Sequence, residues 1–539
     1  SALTLSLMEC FDLRKIMWLL DAYEHPNVNV SQRALVGAMI IFHIYRSRLT
    51  FYPELIKRVD LMEEIPSFRE DVARIYRQML LCQETEKIDK KMREEIIPEM
   101  LKNVSSMKNM RFGFEESDEE NNDMNPDWED AFEKSGLGDK LREMNELQLE
   151  GADVYMSTFA ALKNYPFFRE VHNWFYPFSK QQSNVLKAMK QAGNQGGSLL
   201  DLILQSGFFS NSDKYSLFFT IHQLPQSQQD IMLSQLNEQQ VEKSNVETMK
   251  KFNERPGTVS NQYLHDLYRF FKLSVRKSEF RDIFKEKLDL HHVPALDNIL
   301  HWEDVLFPIA DFYLSKERWD EAIEIYEELE TIGGFEGESA EYYQKFGYAL
   351  QKRKKYAEAI QAYLKADTLK PDNIWNNRHL AICYRLNRNY QVAITYYKKV
   401  EEAAPEDTNV TFHIGSCLAE LGQYEEALNY FFKLDFIENN CIKAWRGIGW
   451  CSFISQKHEQ AMKYYEKIIE QKPLAIDYMN AGHVAWVMGD IQKASVFYGK
   501  AITASGNRER FLEMFHKDEE ALLTQGIREE DIPLMLDLL

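Results

Sequence analysis

Cysteine, glycine and proline are all scarce in this sequence, and each scarcity removes a class of architecture. Six cysteines in 539 residues, with no Cys-x-x-Cys pair, cannot form a disulfide framework. With only 23 glycines and 15 prolines against a hydrophobic content of 45%, the composition favours helices stacked on helices over a turn-rich sheet. No run of alternating apolar and polar residues marks a strand. No apolar stretch reaches the roughly 18 to 20 residues needed to span a bilayer; the best, 34–45, is shorter and contains His43. Cations are outnumbered, with 64 Lys and Arg against 84 Asp and Glu and a net charge of −20, so no basic face for nucleic acid is expected. The expectation is a soluble, cytoplasmic chain with neither a nucleic-acid nor a membrane partner.

Motifs of chemistry are missing as well. There is no Gly-x-x-x-x-Gly-Lys-Ser/Thr, no Gly-x-Gly-x-x-Gly after a strand, no His-Glu-x-x-His and no Gly-x-Ser-x-Gly. His291-His292 is the one histidine pair, and adjacent helical residues point about 100° apart, so the two do not share a metal unaided. No catalytic residue, cofactor or metal is expected. The chain opens on serine rather than methionine, from which a native N-terminus further upstream is expected; residues 1–20 read as an amphipathic helix with Asp12, Arg14 and Lys15, not as a secretory signal.

What the sequence does have is a period. The triplets Trp319/Ala322/Tyr326, Tyr356/Ala359/Tyr363, Tyr390/Ala393/Tyr397, Tyr424/Ala427/Phe431, His458/Ala461/Tyr465 and Ile491/Ala494/Tyr498 repeat one arrangement. Their alanines follow one another at 37, 34, 34, 34 and 33 residues, the spacing of a helix–turn–helix repeat. On the preceding helix of each copy a small residue stands where two helices must approach closely: Ala310, Gly347, Ala381, Gly415, Gly449 and Gly482. Pro371, Pro405 and Pro473 follow the second helix of three copies, which they cannot continue. Cys383, Cys417 and Cys451 recur at one register position. Neighbouring repeats stack about 10 Å apart, beyond the reach of about 7 Å between Cα atoms for a disulfide, so buried reduced thiols are expected there.

At these positions the segment resembles the tetratricopeptide repeat family, most closely in repeats two to five and over somewhat under half of the chain. Repeat one has Gly334 where proline is usual, repeat four has Asn439, and the sixth lacks the aromatic before its alanine. The resemblance implies an all-α fold, a right-handed α-solenoid whose first helices line a concave face with their residues two, five, nine and twelve. Carried onto this sequence, those positions are Trp375, Arg378, Ile382 and Arg385 in repeat three, and Asn409, Phe412, Ser416 and Ala419 in repeat four. They are Lys443, Arg446, Trp450 and Phe453 in repeat five, and Ile476, Met479, His483 and Trp486 in repeat six. All but Ile382, Asn409, Ser416, Ala419 and Ile476 are taken as the expected partner-binding groove. Arginine and tryptophan are frequent binding anchors, and guanidinium groups suit carboxylates. The competing reading is that these side chains pack between helices and that the arginines pair with neighbouring carboxylates. Some members of the family hold a C-terminal carboxylate with a fixed basic set; here Ile382 and His413 stand where asparagines belong, so no such clamp is expected.

The rest of the chain divides into 1–114, 115–127, 128–301 and, after the six repeats of 302–506, a capping segment 507–539. Residues 1–114 read as four or five helices, either HEAT-like or irregular, with Leu35, Met39 and Phe42 at helical spacing after a cap at Ser31, and Ile75, Met79 and Cys82 after Pro66. The acidic run from Glu115 to Asp123 is a solvated linker. As a calcium loop it offers Asp118, Glu120, Asn122 and Glu129, but Asp123 replaces the required glycine and Pro126 blocks a carbonyl. Residues 128–301 resume irregular helices around a connector at Gly193, Gly196 and Gly197; Tyr263, Leu267, Phe270 and Phe271 are expected to begin the repeat stack. Six aromatics and His172 between Tyr165 and Pro177 read as core before they read as a binding patch. Solenoid ends need covering, which assigns the final apolar helices to a cap.

The function expected is a non-catalytic interaction scaffold of bacterial style that binds a protein or peptide segment, acidic or carboxylate-bearing, in the repeat groove. The alternative is a sensor or enzyme-like small-molecule module in residues 1–300 that the repeats present. Self-association through the linker or end helices is a third reading.

Overall fold

In a computed structural model, residues 1–96, 98, 144, 146–179, 181–191, 209–223, 254–332 and 339–539 are described. Among them every regular element is helical. The acidic run with its calcium-loop reading, the connector at Gly193 to Gly197, and Gly334 lie outside the described residues. The chain forms two compact bodies, Ser1–Leu306 and Phe307–Leu539.

The C-terminal body is an α-solenoid of antiparallel helix pairs. The first pair is Glu303–Ser315 with Trp319–Thr331, the second Ala340–Lys352 with Tyr356–Leu369, the third Ile374–Leu386 with Tyr390–Ala403. The fourth is Thr408–Glu420 with Tyr424–Ile437, the fifth Ile442–Ile454 with His458–Ile469, the sixth Ala475–Val487 with Ile491–Ser505. The periodic residues explain the pairing: all six alanines are fully buried, and the small residue of each first helix admits the aromatic of the second. A Cβ added to Gly347, Gly415, Gly449 or Gly482 would come within 3.0 Å of Tyr363, Phe431, Tyr465 or Tyr498. Cys383, Cys417 and Cys451 are free, buried thiols whose burial pushes them up to about 12, 11 and 12, which keeps them protonated.

The turn inside each pair places one residue in the left-handed region: Glu317, Lys354, Arg388, Gly422, Gln456 and Gly489, with φ of 57, 61, 61, 76, 61 and 86°. In every repeat the next amide bonds five residues back, as from Lys355 N to the Leu350 carbonyl at 3.0 Å and from Lys457 N to the Ser452 carbonyl at 2.8 Å. This closes the first helix in the same way each time, although four of the six residues are not glycine. After the sixth pair come three short helices, Arg508–Phe515, Glu519–Thr524 and Asp531–Asp537.

Among its described residues the N-terminal body joins helices that are distant in sequence. Helix Pro256–Leu273 is buried along most of its length and packs against both Val28–Ile44 and Phe68–Gln83. Tyr263, Leu267, Phe270 and Phe271 are therefore core of this body and not the start of the repeats. Contact between elements so far apart in sequence also differs from a HEAT-like series, in which each unit touches the next. Leu35, Met39, Phe42, Ile75, Met79 and Cys82 are buried. The cap of the first of these helices is Asn27, which accepts from Asn29 N at 2.9 Å, while Ser31 sits inside the helix.

Candidate functional site

The first helices of repeats three to six carry the carried-over positions, and side-chain caps fix where two of them start. Asn373 accepts from Asn376 N at 2.9 Å, and Asp407 accepts from Asn409 N and Val410 N at 3.0 and 3.2 Å. Trp375 is 42% exposed, its ring 3.9 Å from His379 and 6.1 Å from Tyr348. Phe412 is half-buried against Phe431, 6.0 Å between centroids, and Trp450 is half-buried with its ring 5.8 Å from Phe453. Lys443 is exposed, and Arg385 donates from Nε to the Tyr397 hydroxyl at 3.3 Å.

The two central arginines are already engaged. Arg378 reaches Asp407 of the next repeat at 2.6 Å. Partial burial pushes the Asp407 carboxyl up, but the Arg378 bond and the two amides outweigh it and hold it below its ordinary value. Arg446 makes two parallel bonds to Asp477, both 2.7 Å, and Asp477 also accepts from Leu474 N at 2.7 Å while only 1% exposed. These bonds raise the Arg446 guanidinium further above its ordinary value. Both pairs are ties between successive repeats, so the basic character read from the sequence is largely neutralised where it stands.

Repeat six corrects the expectation more sharply. Met479 and His483 are fully buried, Trp486 is 7% exposed, and Phe453 of repeat five is 1% exposed. Phe453 packs on His483, 6.4 Å between centroids, Trp486 lies 6.4 Å from Tyr498, and the C-terminal segment covers His483. Phe515 lies 5.3 Å from the His483 ring, and Asp518 comes within 3.5 Å of His483 Nε2. Gln525 reaches the Ile454 carbonyl at 3.1 Å and lies 2.9 Å from His458 Nε2. The structure thus leaves Trp375, Arg378, Arg385, Phe412, Lys443, Arg446 and Trp450 on one accessible face, and removes Phe453, Met479, His483 and Trp486 from it. Tyr348 belongs with the accessible set by its contact with Trp375; its register, position nine of repeat two, was the available signal.

In the N-terminal body the aromatic stretch is mainly core: Phe168, Trp174 and Phe175 are buried, with Phe168 5.1 Å from Trp174 and Phe175 5.1 Å from Phe270, while Tyr176 is exposed. Beneath it lies a cluster that no sequence motif marks. Lys163 bonds Asp213 at 2.8 Å and Ser212 at 2.8 Å, and Arg269 bonds Asp153 at 2.6 Å, Asp213 at 2.9 Å and Ser210 at 3.1 Å. Burial lowers the Lys163 amine to about 8 despite Asp213 beside it. Burial likewise pushes the Asp213 carboxyl up, yet the Arg269 and Lys163 charges outweigh it and hold it down. Mutual pairing of this kind keeps buried charges tolerable and fixes the aromatic segment on helix Pro256–Leu273. Burial takes the His291 imidazole down to about 3, with Nδ1 2.8 Å from the Tyr76 hydroxyl. A shallow pocket of about 500 Å³ in this body is lined by Asp60, Glu63, Asp297, Asn298, His301 and Trp302.

A helix-pair array with a continuous first-helix face belongs to the class of α-solenoid repeat proteins. Tetratricopeptide repeat family models match residues 306–333, 340–373, 383–434 and 442–473. The C-terminal body is a tetratricopeptide repeat array, and its sixth pair continues the same packing beyond the matched residues. Among solved structures, YrrB, described as a TPR protein with an unusual peptide-binding site, is 23% identical with a TM-score of 0.30, over 33% of this chain and 93% of that one. MamA MSR-1 C2 is 25% identical with a TM-score of 0.28, over 31% and 93%. A tetratricopeptide repeat protein from Parabacteroides merdae is 18% identical with a TM-score of 0.32, over 44% and 97%. No curated protein matches the chain. Among the described residues no helix is long and apolar enough to cross a membrane.

Proposed function

We propose that the protein is a non-catalytic scaffold that binds a peptide or protein segment along the first-helix face of repeats three to five. The observation that supports this most is the contrast along one register. The expected groove residues are exposed or half-buried from Trp375 to Trp450, whereas Phe453, Met479, His483 and Trp486 are buried, with Ile476 at the start of repeat six still exposed. Trp375, Phe412 and Trp450 offer aromatic surface of the kind that anchors interfaces. Because Arg378 and Arg446 are held by Asp407 and Asp477, the ligand's attraction comes chiefly from aromatic contact, with Lys443 and Arg385 left to favour acidic residues. YrrB, a TPR protein with a peptide-binding site, is consistent with this use of a repeat face.

Charge reversal at Arg378 or Arg446 would break the ties between repeats and confound a binding test. The informative variants are Trp375→Ala with Trp450→Ala, and separately Lys443→Glu. In affinity capture from lysate followed by mass spectrometry, the tryptophan pair should lose partners retained by wild type, with unchanged circular dichroism. Capture of the same partners in the same amounts by the folded double variant would remove this face as the site.

A further inference from the structure

Several carboxylates of the N-terminal body have a cation beside them. Asp21 and Glu24 meet Arg58, Asp71 meets Arg74, Glu84 meets Lys87, and Asp289 meets Arg46. The pocket beside the C-terminal end of helix Pro53–Met62 gathers three that have none. Asp60, Glu63 and Asp297 line it, and no lysine or arginine does. Among the described residues Asp60 accepts from Asn298 Nδ2 at 3.1 Å, Asp297 stands 3.6 Å from His301 Nδ1, and the Glu63 carboxylate has no partner. Like charges around one cavity repel one another, and a cation between them would relieve the repulsion.

The shape of the set selects the kind of cation. A metal ion needs its ligand atoms close around one point, and these carboxylates with His301 do not bring three such atoms within 4.8 Å of one another. The cavity, about 500 Å³, falls in the range of sites for organic ligands. Its aromatic wall is Trp302, 50% exposed, whose indole is fixed by Nε1 donating to the Asn298 carbonyl. The same indole already carries one cation from within the chain. The Arg69 guanidinium lies 4.6 Å over its ring and pairs with Asp304. A planar cation that stacks on an indole while it bonds a carboxylate therefore has a precedent on this side chain, whereas an ammonium head has neither the plane nor the fork.

We propose that this pocket binds a guanidinium group, bonded by Asp60, Glu63 and Asp297 and lying against the exposed part of Trp302. An arginine side chain of another protein and a free guanidino compound present the same group. This binding goes beyond the proposed function and belongs to the N-terminal body, not to the repeats.

The test is isothermal titration calorimetry on the full chain with agmatine, the tripeptide acetyl-Gly-Arg-Gly-amide and the matched acetyl-Gly-Lys-Gly-amide. Both guanidinium probes should bind saturably below about 10 mM. The lysine peptide should bind at least about fivefold more weakly than its arginine counterpart. Glu63→Gln/Asp297→Asn should weaken both guanidinium probes by at least about tenfold, because it removes charge-assisted bonds and keeps the volume of the pocket. Glu63→Gln alone, at an exposed side chain, carries the test if circular dichroism shows the double variant unfolded. Tighter binding of agmatine than of the arginine tripeptide assigns the pocket to a free guanidino compound, and the reverse assigns it to an arginine of a partner. No saturable binding of either guanidinium probe to wild type, equal affinity for the arginine and lysine peptides, or equal affinity of wild type and the carboxylate variant would overturn the proposal. Trp375→Ala/Trp450→Ala should leave these titrations unchanged, so failure of the repeat face shows in partner capture and failure of the pocket shows here.

Discussion

Gly482 is the tightest of the recurring small positions, and replacing it tests the packing logic of the whole array. A Cβ there would lie 2.5 Å from Cε1 and 2.6 Å from Cδ1 of Tyr498. The ring has nowhere to go: its hydroxyl is 2.8 Å from His483 Nδ1, and Phe511 and Phe515 lie 5.8 and 5.6 Å from its centroid. Carbon atoms settle at about 3.5 Å or more, so Gly482→Ala must part helix and ring by roughly 1 Å. Overpacking costs about 1 to 3 kcal/mol, the upper end for a contact this short. Removing a glycine from a helix interior returns about 1 kcal/mol, leaving a net loss of about 2 kcal/mol. Gly499 is the control, because it lies inside helix Ile491–Ser505 with nothing within 4 Å of an added Cβ. Gly499→Ala should stabilise by about 1 kcal/mol, which separates the two variants by about 3 kcal/mol. Urea unfolding followed by far-ultraviolet circular dichroism and by tryptophan fluorescence, with Trp486 6.4 Å from the Tyr498 ring, measures the difference. Equal stability of the two variants would refute the claim that the small position exists to admit the aromatic.

The left-handed turn residues give a second test: Lys354→Gly, Arg388→Gly and Gln456→Gly should each stabilise by about 1 kcal/mol, read as a rise in the urea midpoint, because the β-carbon is strained at positive φ. A lower midpoint in all three would show that side-chain contacts outweigh the strain. Burial holds His379 and His413 at about 4, against about 6.5 in the unfolded chain. Between those values the unfolded chain binds protons that the folded repeats refuse, so stability falls as pH is lowered from about 6.5 towards 4. Thermal melts from pH 7 to 5 should show this fall, and His379→Gln/His413→Gln should flatten it; an unchanged slope would place the titration elsewhere.

Much of the C-terminal fold was legible because it is local and periodic. One alanine, one small residue and one aromatic per repeat suffice to register two helices, and their spacing is visible without coordinates. The turn residues were less legible, since Lys354, Arg388 and Gln456 share a conformation but no chemistry with Gly422 and Gly489. In the N-terminal body the decisive contacts join residues far apart in sequence: Arg269 meets Asp153 and Asp213, and helix Pro256–Leu273 meets helices near residues 40 and 75. No local pattern announces such pairings. The groove was half legible. Register placed its positions, but register is blind to the segment that returns over His483 and to the packing of Phe453 on His483 and Trp486 on Tyr498, so these residues and Met479 read as surface.

The arginines of the groove are better explained by comparing repeats than by their charge. In repeat three, Arg378 at position five meets Asp407, the cap of the next first helix; in repeat five, Arg446 at the same position meets Asp477 in the first turn of the next. In repeat four position five is Phe412, and the next cap is Cys441, which forms an apolar cluster with Leu434 and Ala444 against which Phe412 packs. Both members of the pair change together, from cation and carboxylate to two apolar groups. That concerted exchange is what a tie between successive repeats requires, whereas a site selecting an acidic ligand would keep the cation and lose the carboxylate. Recognition is then left to groups outside the tie: Trp375, Trp450 and Lys443 have no counterpart carboxylate in the next repeat, and their substitution can alter binding while the array stays folded.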